Sequence, residues 1–183
     1  METYNVEIEG MTLYYFNKPW KGAVPKSKKK KEEAARASVY VDEDGHCYIP
    51  WQQIKGCIKQ ATSLAKMKIE RSNKRAIELI TAALWVMPEA LVLLPERELD
   101  GTELFWHDLL TEQGKLIEVC YSRTNSWSLK FQLEFSLIEP DFVRDALEFG
   151  GMYCGIGGRR QDKNGRFELV TWEPLSKETK EKP

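Results

Sequence analysis

Alternating apolar and polar residues predict strands near both ends of the chain and in its second half. Residues 3–9 alternate without interruption, and so do Trp127–Leu137; in Gly165–Trp172, Phe167 and Leu169 alternate with Arg166 and Glu168. Such alternation is typical of strands that bury one face and expose the other. Leu116–Arg123 precedes the second of these strands across the turn-forming residues 124–126, so the two are predicted to form a β-hairpin.

Helical spacing of apolar residues predicts two amphipathic helices, each opened by a proline. Pro50 begins a helix over Trp51–Lys66, in which apolar residues recur every three or four positions. Pro140 begins the second helix, which is predicted to end at Gly150 and Gly151.

The segment between the first strand and the first of these helices predicts an insertion. Residues 17–38 contain proline, glycine and many lysines, and we expect a mobile loop with a short helix over Lys30–Ala37. Val39–Val41 and His46–Ile49 then predict a hairpin, because Gly45 supplies the positive φ that a tight turn needs.

Two further stretches lack a single clear period. Ile77–Leu94 is predicted to be mostly strand, although Ala76–Ala83 also fits a helix. Asp100–Gln113 is predicted to be a loop with one helical turn.

The order of these elements predicts an α+β fold of the ferredoxin-like, RRM-like βαββαβ type, with an inserted β-hairpin. Two helices would cover one face of an antiparallel sheet and leave the other face for a ligand or another domain. We expect one domain over residues 1–173, with the basic loop and hairpin inserted at 10–50, followed by a charged, flexible tail at 174–183.

Composition fits a single soluble domain: the chain has 183 residues, of which 42% are hydrophobic and 30% are charged. Its four cysteines include no CxxC pair, so buried thiols in a reducing cytoplasm are expected rather than a zinc or other metal site. The sequence shows no signal pattern and no apolar run of membrane-spanning length, and neither a membrane partner nor a cofactor is expected.

The net charge of −1 hides a marked asymmetry along the chain. Lys18–Lys31 contains seven lysines and no acid, and Lys55–Arg75 contains seven basic residues against Glu70. Glu89–Glu118 is the reverse, with eight acids against two basic residues. This distribution predicts one surface that attracts anions and one that is acidic, although any single run also fits a solvated face without a ligand.

A glycine- and arginine-rich loop over Gly155–Arg166 separates the second helix from the last strand. Glycines let a ligand's backbone approach closely, and guanidinium and ammonium groups suit phosphate. The alternative is a tight structural connection packed against the first helix. The residues that this motif nominates for phosphate contact are Gly155, Gly157, Gly158, Arg159, Arg160, Lys163 and Arg166.

A second motif lies at the start of the first helix, where Ile49 and Pro50 lead into Lys55 and Gly56. Glycine inside a helix costs about 1 kcal/mol relative to alanine, so we expect a close neighbour at Gly56, with the glycine-rich loop as a candidate. Lys59 lies on the same helix face as Lys55, a face that a solvated role would also explain.

These two motifs, in this order and on these elements, resemble the repeat-associated mysterious protein superfamily of CRISPR systems. In its backbone subunits a strand ends in proline and runs into a helix that carries Lys-Gly, as Pro50, Lys55 and Gly56 do here. A glycine-rich loop precedes the last strand of that family, as Gly155–Arg166 does here. The chain is also similar to small phage and prophage proteins of unassigned role that share both motifs.

The resemblance implies a protein that binds single-stranded RNA, with single-stranded DNA as the less favoured alternative ligand, through the phosphate backbone. Such a protein could assemble along the strand or join a CRISPR or host protein. It adds cations on the first helix and on the basic loop to the candidate residues: Lys55, Lys59, Lys21, Lys28, Lys29, Lys30 and Lys31. Trp20, Trp51 and Tyr153 are candidates for base stacking.

Catalysis is not expected, because His46 and His107 do not follow the first strand, where the related endoribonucleases carry their general base. Two other functions stay open at this point. One is a phage-encoded anti-defence protein that binds a host complex or a signalling nucleotide. The other is a repeat-RNA endoribonuclease that uses one of these histidines.

Overall fold

The computed structural model describes residues 1–18, 25–96, 98–110 and 116–175, which form a mixed α+β fold with antiparallel sheets. The strands are β1 (Glu2–Gly10), β2 (Tyr14–Tyr15), β3 (Tyr48–Pro50), β4 (Leu84–Met87), β5 (Ala90–Val92), β6 (Glu103–Leu110), β7 (Leu116–Thr124), β8 (Ser128–Phe135) and β9 (Phe167–Pro174). The α-helices of the described residues are α1 (Lys28–Ala37), α2 (Trp51–Leu64), α3 (Asn73–Ala83) and α4 (Pro140–Phe149).

The main sheet has the strand order β4-β8-β1-β9, and every neighbouring pair is antiparallel. The predicted alternation is confirmed in its two central strands. Val6 and Ile8 of β1, and the four apolar residues of β8, are buried in one core with α2 and α4. Both helices therefore cover the same face of this sheet and leave its other face open.

The predicted hairpin between residues 116–123 and 127–137 is wrong. β7 pairs with β6 and β2 in a second, three-stranded sheet, whereas β8 pairs with β1 and β4. The reason is burial: Trp127, between the two strands, packs against the core and donates its indole N–H to Thr12 O at 2.8 Å. The chain thus passes from one sheet to the other across a turn that only looks like a hairpin loop.

The prediction of mostly strand over Ile77–Leu94 is wrong in its first part, where the alternative of a helix over Ala76–Ala83 is confirmed. Its first half belongs to α3, since Ala76, Leu79, Ile80 and Ala83 form a buried helical stripe. The remainder forms the short strands β4 and β5. The predicted loop at Asp100–Gln113 instead contains β6, which follows a single 3-10 turn.

The insertion differs from its predicted hairpin. Val41 and Cys47 form one isolated bridge around the turn, and Gly45 has the expected positive φ of 90°. β3 pairs with β5 rather than with residues 39–41. The short helix is present and begins two residues earlier than predicted, capped by Ser27, whose Oγ accepts from the Lys30 N–H.

All four cysteine side chains are buried. Among the residues that the structure describes, no helix is long and apolar enough to cross a membrane.

Candidate nucleic-acid interface

The glycine-rich loop leaves α4 through one turn of π-helix, Gly150–Cys154, and is hydrogen-bonded to β2 and to the residue before it. Gly165 donates its N–H to Leu13 O at 2.7 Å, and Gly158 donates to Tyr15 O at 2.8 Å. Gly157 and Gly165 have φ values of 82° and 68°, and a Cβ at either would overlap a backbone carbonyl oxygen. These glycines therefore have a structural role, which supports the alternative of a tight connection for them.

Arg159 links the same loop to the second sheet. Its side chain is only 10% exposed, forms an ion pair with Asp162, and lies 2.9 Å from His107 Nε2. Its guanidinium also lies over the Tyr121 ring, 5.4 Å from the centroid. These contacts turn the guanidinium toward β6 and β7, so Arg159 is poorly placed to reach a solvent-side phosphate.

Arg166, in contrast, has a donor without an acceptor. Its Nη1 is buried and finds no hydrogen-bond partner among the described residues. The Arg166 backbone N–H donates to Thr12 Oγ1 at 2.9 Å, which fixes where the side chain starts. A buried guanidinium nitrogen without an acceptor destabilises the fold, because it has lost its hydrogen bonds to water and forms none within the protein.

Arg166 lines a polar pocket of about 510 Å³. The other lining residues are Asn17, Gln60, Tyr153, Cys154, Gly157, Gly158, Arg159, Arg160 and Gln161. Burial raises the pKa of the Cys154 thiol, so this thiol stays protonated. The charged side chains that line the pocket are therefore all arginines, and none of the lining side chains is anionic. This chemistry fits an oxyanion such as phosphate.

Uncharged side chains extend the polar surface from the pocket along α2. Arg160 Nη1 donates to Gln60 Oε1 at 3.0 Å, and Gln53 Nε2 donates to Asn17 Oδ1 at 2.9 Å. Gly56 lies between the two glutamines on this helix stripe. Sequence reasoning missed these amide side chains, because they are uncharged and lie far apart in the chain, so no local pattern marks them.

The expected close neighbour of Gly56 is not there. No atom lies within 4 Å of a Cβ built at this position, whereas the close approach to α2 occurs one residue later, where Cys57 Sγ meets Gly150. Gly56 thus leaves a gap that is open to solvent, between two amide side chains.

The two predicted α2 cations have different environments. Lys55 Nζ donates to Thr81 O at 2.8 Å and to Leu84 O at 2.7 Å, and it lies over the Trp51 ring. Burial, and then the charge of Lys59, lower the pKa of Lys55. Lys55 therefore caps the end of α3, whereas Lys59 is exposed and available to a ligand.

The lysines of α1 form a separate group. α1 packs against β7, where Ser122 Oγ donates to Ala35 O at 2.9 Å, so this helix lies on the second sheet. Lys31 pairs with Glu118 at 3.5 Å, and both Lys28 and Lys31 lie over Trp106. The remaining lysines of this helix, Lys29 and Lys30, are exposed, as is Lys163 in the glycine-rich loop.

Of the three aromatic candidates, Tyr153 reaches the pocket and is 57% exposed. Trp51 instead lines a groove at the open sheet face. Lys21 and Trp20 lie outside the described residues.

The histidines are engaged elsewhere. His107 Nε2 faces the Arg159 guanidinium, which requires the proton of a neutral His107 to be on Nδ1. His46 lies 3.7 Å from Asp42 and 3.6 Å from Glu96. A nitrogen that accepts from a guanidinium is poorly suited to remove a proton from a substrate.

No protein-family model and no curated protein matches the sequence. A chain of the Type III-B Cmr-beta complex bound to cognate target RNA is similar in structure, with a TM-score of 0.65 and 15% identity. The match covers 96% of this chain and 61% of that one, so this chain spans less than two thirds of its length. A chain of a Type IV-B CRISPR complex matches with a TM-score of 0.55 and 10% identity, over 99% of this chain and 93% of that one. This chain therefore shares the fold of subunits from CRISPR complexes.

Proposed function

We propose that this protein binds single-stranded nucleic acid, RNA in preference to DNA, through the phosphate backbone and without catalysis. The observation that carries the proposal is Arg166, which lines a polar pocket beside a glycine-rich loop and whose buried Nη1 has no acceptor among the described residues. A phosphate in the pocket would give the Arg166 guanidinium an anionic partner, and a charge-assisted hydrogen bond contributes about 1.5–3 kcal/mol.

The surroundings of the pocket support a chain ligand rather than a lone ion. Arg160 and Lys163 lie exposed on the loop, Lys59 lies exposed on α2, and Tyr153 offers a ring for stacking. The open position at Gly56 lets a sugar-phosphate backbone pass close to α2. These contacts are mainly to phosphate groups. The affinity for nucleic acid is therefore expected to depend strongly on salt and little on base sequence.

The fold supports the same proposal. The strand–helix–strand units β1-α2-β4 and β8-α4-β9 interleave in the order β4-β8-β1-β9, and this order supports a ferredoxin-like unit. We assign residues 1–173 to one such domain of the repeat-associated mysterious protein type. The structural neighbours come from CRISPR complexes, one of them bound to target RNA, which favours RNA as the ligand.

The proposal is tested by fluorescence anisotropy with labelled single-stranded RNA and DNA of one sequence. Arg166→Gln and Arg160→Gln are each expected to weaken binding about 10-fold or more, since about 1.4 kcal/mol corresponds to tenfold. Each lost phosphate contact should also lower the salt slope by about 0.7 for a single strand.

Arg144→Gln is the matched control, because Arg144 lies on α4 and pairs with Asp141 at 3.2 Å, away from the residues that line the pocket. This variant should bind within about twofold of the natural protein, apart from the uniform effect of one lost charge. The absence of binding at low salt, or equal losses in all three variants, would refute the pocket as the phosphate site.

A further inference from the structure

The open face of the four-stranded sheet is acidic. The pairing register places on one face the residues Asn5, Glu7, Glu9, Trp85, Met87, Lys130, Gln132, Glu134, Glu168, Thr171 and Glu173. Five of these are glutamates, and the single lysine, Lys130, is paired with Glu7 at 3.4 Å. A polyanion would be repelled from this face, so the proposed nucleic-acid interface lies elsewhere.

An apolar groove runs along one side of the same face. It has a volume of about 1000 Å³ and is lined by Trp85 and Met87 of β4, together with Trp51 and Pro88. Trp85 is 44% exposed and Met87 is 37% exposed. An exposed tryptophan beside a methionine, ringed by charge, is typical of a protein-binding surface.

A surface of opposite charge lies on the same molecule, at the connection between α2 and α3. Its exposed cations are Lys66, Lys68, Arg71, Lys74 and Arg75, and the acids around it are Glu70 and Glu78. Leu64, at the end of α2, is 59% exposed and adds an apolar side chain beside these cations.

This basic connection has a fixed shape. Asn73 Nδ2 donates to Thr62 O at 2.8 Å and to Met67 O at 2.7 Å, which ties the start of α3 to the end of α2. Lys66 and Arg71 have φ values of 52° and 67°, in the left-handed region that is uncommon for residues other than glycine. Such backbone is held by its surroundings rather than chosen by local preference, so the cations project from a defined turn.

We infer that the acidic sheet face binds the basic α2–α3 connection of a second copy of this chain. Opposite charges would meet, and Leu64 would enter the groove beside Trp85. α2 is about 20 Å long at 1.5 Å per residue, and it separates Trp51 at the groove from Leu64 at the connection. The contact therefore joins two different surfaces, head to tail, and the rotation between copies decides whether they form a closed ring or an open row.

The inference does not rest on nucleic-acid binding and is tested without an oligonucleotide. Sedimentation velocity of the full chain over a range of concentrations should show association at about 0.1 M NaCl that is much weaker at about 1 M, because the Debye length falls from about 10 Å to about 3 Å. E134K/E168K on the sheet and K68E/R75E on the connection should each remain monomeric at concentrations where the natural chain associates.

An equimolar mixture of these two variants should associate again, because the reversed sheet of one meets the reversed connection of the other. E33K/E43K changes the net charge as much as the sheet variant does, at exposed positions outside both surfaces, and should associate like the natural chain. Cooperative thermal unfolding of each variant confirms that it is folded.

A monomeric natural chain at low salt would overturn the inference, as would a mixture of the two variants that stays monomeric. If K68E/R75E loses oligonucleotide affinity while association is unchanged, the basic connection contacts nucleic acid and the inference is wrong. If Arg166→Gln fails to weaken RNA binding while the charge-reversal results hold, the proposed function fails and this contact stands.

Discussion

Gly165 and Gly56 lie in opposite environments, and alanine at each tests what these glycines do. At Gly165, φ is 68° and a Cβ would overlap Ile156 O, so Gly165→Ala should lower the free energy of unfolding by about 3 kcal/mol through strain and overpacking. At Gly56, no atom lies within 4 Å of a Cβ built at this position. Gly56→Ala should therefore raise the free energy of unfolding by about 1 kcal/mol, because alanine has the higher helix propensity. Urea unfolding measures both changes.

The Gly56→Ala variant also separates stability from binding. If nucleic acid passes close to this position, the more stable protein should bind RNA more weakly, because a methyl group would hold the backbone away. Equal affinity with higher stability would show that Gly56 lies outside the interface.

At the residue scale, sequence reasoning identified the glycine-rich loop and nominated Arg159 as well as Arg166 for phosphate contact. Arg159 and Arg166 are seven positions apart, yet one is bonded to His107 and Asp162 and the other has an unsatisfied nitrogen. Their difference depends on β6 and on Thr12, which the fold brings to the loop from distant parts of the chain. No local pattern contains that information.

At the level of secondary structure, Lys55 acts as a cap for α3. Lys55→Met removes two hydrogen bonds to the terminal carbonyls Thr81 O and Leu84 O while keeping the aliphatic stem, and should lower the free energy of unfolding by about 1–2 kcal/mol. Lys59→Met, four positions on and exposed, should change stability by less than about 0.5 kcal/mol. Thermal unfolding of both variants checks this, and equal effects would contradict the capping role.

The strands and helices that sequence reasoning predicted correctly are those whose pattern is local. β1, β8, α2 and α4 each show one clear period and one clear start, such as Pro140. α3 could be predicted only as an alternative to a strand, because its buried stripe runs without a break into the apolar β4 and two periods overlap. β7 and β8 were paired wrongly because a turn signal cannot show that each strand has a better partner elsewhere.

At the scale of the whole molecule, Arg159 connects the glycine-rich loop of the main sheet to the second sheet. Arg159→Ala removes the ion pair with Asp162, the bond to His107 and the contact with Tyr121, and should lower the free energy of unfolding by about 2–3 kcal/mol. Arg160→Ala is the control, since its exposed side chain makes a single bond to Gln60 and should change stability little. Chemical unfolding measures both changes. If Arg159→Ala left the free energy of unfolding unchanged, the role of Arg159 as a link between the sheets would be refuted.

The whole-molecule charge pattern was only partly readable from the chain. The basic run at Lys55–Arg75 does form an exposed basic connection, from Lys66 to Arg75. The acidic surface, however, lies on the main sheet, where glutamates from β1, β8 and β9 meet, and not only in the predicted stretch Glu89–Glu118. Glutamates scattered along the chain become a surface only through strand register.

The position of β1 has a consequence for how the protein is made. β1 is synthesised before its partners β8 and β9, which end at residues 135 and 174. At a synthesis rate of about 10 residues per second, β1 waits roughly 12 s before β8 is complete. During that time β1 has no partner strand, and we expect the glutamates at positions 2, 7 and 9 to oppose its pairing with other exposed strand edges.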